Sequence, residues 1–121
     1  MVILSELSSP LLDCRGAGWD SSEVCIQTAI KLQKRSGLEA RSVFRLLDFT
    51  KEINQSDLHQ ATYLFVYLPL LGLEKIRGLL EKILKENEKL KMISNEYHFL
   101  DHENWIIFEE KDTIRISRPK T

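Results

Sequence analysis

The stretch Gly16-Ala17-Gly18-Trp19-Asp20-Ser21-Ser22 joins a short apolar run to an acidic residue and then to two serines that open a helix-like segment. A carboxylate at the tip of a strand can accept hydrogen bonds from both hydroxyls of a ribose, and the helix start behind it offers free backbone donors. Asp20 also fits the plainer role of a helix cap, and one carboxylate can serve both. A second acidic residue, Asp48, closes the strand signal carried by Val43, Phe44, Leu46 and Leu47. His98 and His102 stand four apart with Asp101 between them, a spacing that suits zinc on a helix. The segment from Tyr97 to Asn104 reads as a loop with no third ligand, so these are expected to be surface histidines and no metal is expected. Cys14 and Cys25 lie too far apart for a Cys-x-x-Cys site. The chain has no Gly-x-Ser-x-Gly elbow and no phosphate loop, and no catalytic residue is assigned.

The elements that must hold these residues alternate between helix and strand. Val2, Ile3, Leu4 and Leu7 fit one side of a first helix, which Ser9-Pro10 breaks or restarts. Gly16 to Trp19 reads as a short strand. Ser21 or Ser22 caps the next helix, Glu23 favours its first turn, Ile26, Ala29 and Ile30 line one face, and Gly37 stops it. Ser42 to Asp48 is a strand. Thr50 to Gln60 is polar, with a short helix after Ser56. Thr62 to Leu68 is the strongest strand, apolar on both faces as a central parallel strand should be; Pro69 ends it. Leu73, Ile76, Leu80, Ile83 and Leu84 line one long helix. Leu90 to Ser94 is a further strand. Asn104 to Glu110 and Thr113 to Arg118 read as an antiparallel hairpin joined by Lys111-Asp112. Such alternation argues for an α/β layer with a mostly parallel sheet.

Bulk properties narrow the function classes. The 121 residues make one domain with one core. A net charge of −1 gives no reason to expect nucleic acid or an anionic membrane as partner. The Lys/Glu-rich run from Glu81 to Lys91 mixes both signs and reads as a solvated helix face. No apolar run approaches the roughly 20 residues needed to span a bilayer. Two cysteines do not make a disulfide framework, so an intracellular, cytoplasmic protein is expected. The oligomeric state is not readable.

The serial order of these motifs resembles the class I S-adenosylmethionine-dependent methyltransferases, whose doubly wound sheet closes with an antiparallel last pair of strands. Gly18-Trp19-Asp20-Ser21-Ser22 looks like the end of that family's second strand, where an acidic residue holds the cofactor ribose. Leu46-Leu47-Asp48-Phe49 looks like the end of the third, where an acidic residue faces the adenine amino group. Tyr63 to Pro69 looks like the fourth strand and the start of the segment lining the substrate entrance. Leu73 to Leu84 matches the following helix, and Leu90 to Tyr97 the fifth strand. About thirty residues between Asp20 and Asp48 suit one helix plus one strand. The helix after Pro69 and the segment Ser94-Asn95-Glu96-Tyr97 are most similar to the small seven-strand enzymes that methylate protein lysines.

The resemblance implies a Rossmann-like α/β fold, S-adenosylmethionine as cofactor and a protein lysine as acceptor. It implies cofactor contacts from Gly18, Trp19, Asp20, Ser21, Asp48 and Phe49, and an acceptor entrance shaped by Tyr67 and Pro69. Trp19 would pack on adenine or ribose unless it is core, and Phe49 would cover the adenine plane. Tyr67 is not expected to act as a base, because transfer to a neutral amine is mainly alignment and desolvation. The chain departs from the family in its first strand and its acidic-x-Gly-x-Gly loop, whose backbone approaches the methionine part of the cofactor. Gly16-Ala17-Gly18 belongs to the second strand and does not replace it. Residues 1–121 are therefore expected to be one N-terminally truncated methyltransferase-like domain, with Met1 to Leu12 as the helix that normally follows the loop. S-adenosylmethionine binding is expected to be weak or absent, and catalysis doubtful. With the central strand missing, the second and fourth strands would pair directly, or the chain would be marginally stable. Two rival readings stand beside this one: a non-catalytic interaction domain of the same fold, and another nucleotide-binding α/β domain.

Overall fold

The computed structural model describes residues 2–6, 14–49, 51–58 and 61–120. Two compact units divide the chain, Met1–Ala61 and Thr62–Thr121.

In the first unit, β2 (Cys14–Asp20) and β3 (Ser42–Leu46) run parallel, with Gly16 opposite Ser42 and Asp20 opposite Leu46. The helix α1 (Glu23–Ser36) connects them. Its ends carry the signals read from the sequence. The Ser22 side chain accepts from the Cys25 amide at 3.3 Å, and Gly37 closes the helix with a left-handed φ of 69°. Both conformations relieve backbone groups that a helix end leaves without partners. A one-turn helix, α2 (Gln55–Leu58), lies after β3. Ala17, Trp19, Ile26, Leu47 and Leu58 are buried.

The N-terminal segment corrects the sequence reading. Val2–Glu6 is a strand, β1, not a helix. It runs antiparallel to β2, with Val2 opposite Gly18 and Glu6 opposite Cys14. A five-residue segment with three apolar residues, Val2, Ile3 and Leu4, is too short for its periodicity to decide between helix and strand. Here an open strand edge decides, because pairing satisfies the backbone groups of both strands. Both edges of β2 are thereby filled, by β1 and β3, and no edge of β2 is left open. Ser9-Pro10 and His59 lie outside the described residues.

In the second unit the strand order is β4-β5-β7-β6. β4 (Tyr63–Val66) and β5 (Lys91–Asn95) are parallel, while β7 (Ile114–Pro119) runs antiparallel to β5 and to β6 (Trp105–Lys111). This is the expected C-terminal hairpin, with its turn at Asp112-Thr113 rather than Lys111-Asp112. Asp112 takes the positive φ of 55° that so tight a link demands. The expected long helix is divided into α3 (Leu70–Lys75) and α4 (Arg77–Glu86) at Ile76, whose φ of −100° and ψ of 7° are not helical. The apolar face continues across the break: Leu73, Ile76, Leu80, Ile83 and Leu84 are all buried. On β4, Leu64 and Val66 are buried while Tyr63 and Phe65 are half-buried. No described helix is long and apolar enough to cross a membrane.

Candidate functional site

Asp20 ends β2, and the Leu47 amide donates to the Asp20 carbonyl at 2.9 Å, extending the parallel pairing by one bond. Asp48 follows at once. Both acidic residues therefore leave the sheet at the carboxyl ends of adjoining parallel strands, the place where open α/β sheets bind ligands. The Ser22 amide donates to Asp20 Oδ1 at 2.8 Å, which fixes the carboxylate over the start of α1. A carboxylate has about four lone-pair sites, so one such bond leaves capacity for a diol. The Asp48 carbonyl accepts from the amides of Lys51 at 3.0 Å and Glu52 at 3.1 Å, while its carboxylate lies 3.9 Å from Lys51 Nζ. Phe49 is half-buried beside it, and Ser21 is exposed in the bend after Asp20.

Two neighbours have different work. Gly18 lies opposite Phe44, and a Cβ there would come within 2.8 Å of the Phe44 ring. Close ring packing accounts for that glycine without a ligand. Trp19 takes the core alternative rather than a place on adenine or ribose: it is only 1% exposed, and its indole Nε1 donates to Asp57 Oδ2 at 2.7 Å. Successive side chains on a strand point to opposite faces, so Trp19 and Asp20 cannot face one ligand together. Trp19 belongs to the core.

Sequence reading missed the group that anchors this face. Arg45 lies directly opposite Trp19 in the ladder, and both reach Asp57 on α2. Arg45 Nε and Nη2 contact the two Asp57 oxygens at 2.6 and 2.8 Å, a bidentate pair. Burial pushes the Asp57 carboxyl up, but the hydrogen bonds from Arg45 and Trp19 outweigh it and hold the group below the usual carboxylate range. Trp19 and Asp57 are 38 positions apart, and no local pattern links them.

In the second unit, Tyr67 directly follows β4, and Glu96-Tyr97 directly follow β5. Tyr67 is 50% exposed, and its hydroxyl donates to Glu96 Oε2 at 3.2 Å. The Glu96 charge raises the Tyr67 pKa above its ordinary value, which opposes any use as a base near neutral pH. Pro69 is exposed at the start of α3. Behind this rim, Arg77 at the helix break forms an ion pair with Asp101, lies 3.0 Å from Glu81, and covers the Phe99 ring at 4.9 Å. Phe99 in turn stacks on Trp105. His98 Nδ1 lies 2.6 Å from the buried Ser94 hydroxyl, and burial lowers its pKa. Among the described residues, no cluster of three His, Cys, Asp or Glu side chains could hold a metal ion.

The residues fit one end of an adenosyl cofactor and not the other. Asp20 and Asp48 supply acceptors suited to ribose hydroxyls and an amino group. The edge of β2 where the resemblance puts a first strand and its glycine loop is held by β1 in the reverse direction. Glu6, at the carboxyl end of β1, pairs with Cys14 at the far end of β2 from Asp20. Among the described residues, nothing replaces the glycine cradle beside Asp20.

No protein-family model matches the sequence, and no curated protein matches it. Solved structures do. An RNA methyltransferase from Salinibacter ruber, in complex with S-adenosyl-L-homocysteine, matches 88% of this chain and 67% of its own, with a TM-score of 0.65 and 22% identity. A protein from Haemophilus influenzae, provisionally assigned as a methylase, matches 85% of this chain and 71% of its own, with a TM-score of 0.55 and 13% identity. An uncharacterised protein from Listeria monocytogenes matches 86% of this chain but 50% of its own, with a TM-score of 0.58 and 18% identity. The chain has the fold of the class I S-adenosylmethionine-dependent methyltransferases.

Proposed function

We propose that this chain takes part in methyl transfer from S-adenosylmethionine to an amine, with a protein lysine as acceptor. The observation that carries the reading is the placement of Asp20 and Asp48 at the ends of neighbouring parallel strands, joined by the bond from the Leu47 amide to the Asp20 carbonyl. Asp20 would accept from the ribose hydroxyls and Asp48 from the adenine amino group, with Phe49 beside the ring and Ser21 at the rim. When bound, the cofactor supplies an electrophilic methyl group. The protein's part is then to align a neutral amine and exclude water, which needs no strong base. The Salinibacter neighbour acts on RNA, which makes RNA the rival acceptor. The mixed-sign surface and net charge of −1 favour a protein over a polyanion.

A second reading, a non-catalytic interaction domain, draws support from the reversed β1 beside β2 and from the burial of Trp19. Incubating the chain with S-adenosylmethionine labelled in its methyl group and with lysine-bearing peptides tests both. Label on lysine, lost in Asp20→Asn, supports methyl transfer. Unlabelled peptide together with saturable peptide binding supports the interaction domain, and label on added RNA instead of peptide overturns the lysine acceptor.

A further inference from the structure

We propose that Tyr67, Glu96 and Tyr97 form a receiving site for an alkylammonium group, the charged form in which a lysine side chain arrives from water, before it gives up a proton to react, and in which its methylated products leave. Val66 and Ser94 are paired in the parallel ladder, so Tyr67 and the Glu96-Tyr97 pair leave β4 and β5 at the same end. The two rings stand edge to face, 6.3 Å between centroids and 78° between planes. Both are accessible, Tyr67 at 50% and Tyr97 at 36%. Glu96 precedes Tyr97 in the chain, and its carboxylate accepts from the Tyr67 hydroxyl at 3.2 Å.

The turn that presents them is fixed. Glu96 adopts a left-handed φ of 62°, uncommon for a side chain of its size. Its amide donates to the Thr113 carbonyl at 2.8 Å, the Tyr97 amide donates to the Asn95 carbonyl at 2.7 Å, and the Thr113 hydroxyl donates to Asn95 Oδ1 at 2.7 Å. The hairpin thus holds the backbone of the Glu96-Tyr97 turn. Aromatic faces attract cations, and a carboxylate only accepts hydrogen bonds. The same carboxylate repels a phosphodiester, which separates this ligand class from a nucleotide stacking on the tyrosines. Leu71 and Leu100, on the segments that follow β4 and β5, are 85% and 72% exposed.

In biological meaning this site rests on the amine-acceptor reading above, but it is measured without cofactor, so the two fail separately. n-Butylammonium titrated into the full chain, followed by backbone amide and tyrosine ring shifts, is expected to bind saturably in the millimolar range. The moving signals should be confined to residues 66–71 and 94–98. Glu96→Gln should weaken binding about fivefold, the loss of one modest charge contact, and Tyr97→Leu should abolish it. Tyr67→Phe keeps the ring and should retain most of the affinity. Absence of shifts at tens of millimolar, shifts elsewhere, an unchanged affinity in Glu96→Gln, or preferential binding of adenosine monophosphate would each overturn the proposal.

Discussion

Replacing Asp57 by alanine removes the acceptor shared by Trp19 and Arg45. Asp57 has a side chain only 7% exposed, and Trp19 is 1% exposed, so the indole N–H loses this acceptor inside the core. Losing a hydrogen bond from a buried donor to a charged acceptor costs about 1–3 kcal/mol. The Arg45 side chain is 34% exposed, so solvent screening holds its share to about 1 kcal/mol. Together the first unit should lose about 2–4 kcal/mol, a large part of the stability of so small a unit. With a urea slope of about 1 kcal/mol per molar, the midpoint should fall by about 2 M or more. The chain has two tryptophans, Trp19 in the first unit and Trp105 in the second, so fluorescence in a Trp105→Phe background reports the first unit alone. A midpoint change under about 0.5 M would refute the idea that this triad holds β2 and β3 to α2. The Asp57 carboxyl titrates lower when folded than its unfolded value of about 3.9. Its contribution is therefore complete above that value and is lost as pH falls toward the folded pKa. The wild type should lose more stability between neutral pH and about pH 3 than Asp57→Ala does.

Two further outcomes follow from packing and from backbone capping. Gly18→Ala drives a Cβ to within 2.8 Å of the Phe44 ring and should destabilise the first unit by about 1–3 kcal/mol, measured by the same urea titration. Arg118 donates to the carbonyls of Leu84 at 2.6 Å, Asn87 at 2.9 Å and Leu90, closing the end of α4 against β5; Arg118→Met should cost about 2–4 kcal/mol, read from Trp105 fluorescence in a Trp19→Phe background.

Much of the fold was legible where one local rule dominated. Ser22 and Gly37 mark the ends of α1 because each meets a conformational demand at a single position. The hairpin and the two parallel strand pairs follow from apolar runs punctuated by turn residues. The reading failed where a distant contact decided. Val2–Glu6 fits helical and extended periods alike, and its state is set by the edge of β2. The face of Leu73 to Leu84 is continuous, so the break at Ile76 leaves no trace in the apolar spacing. Trp19 reads by type as either a ligand contact or core, and its partner Asp57, far along the chain, decides for core. The Tyr67–Glu96 contact joins residues 29 apart, and only the parallel register of β4 and β5 brings them together.

In the proposed function, the Asp20 and Asp48 ends of β2 and β3 face an adenosyl group. Backbone amide shifts recorded while S-adenosylhomocysteine is titrated into the chain test this placement. Weak, saturable binding is expected, with changes concentrated at residues 18–22 and 47–49. Asp20→Asn should abolish the changes while leaving the fold intact, because asparagine keeps the bond from the Ser22 amide. Amides that stay still at those positions while others move, or an Asp20→Asn chain that binds as the wild type does, would contradict it.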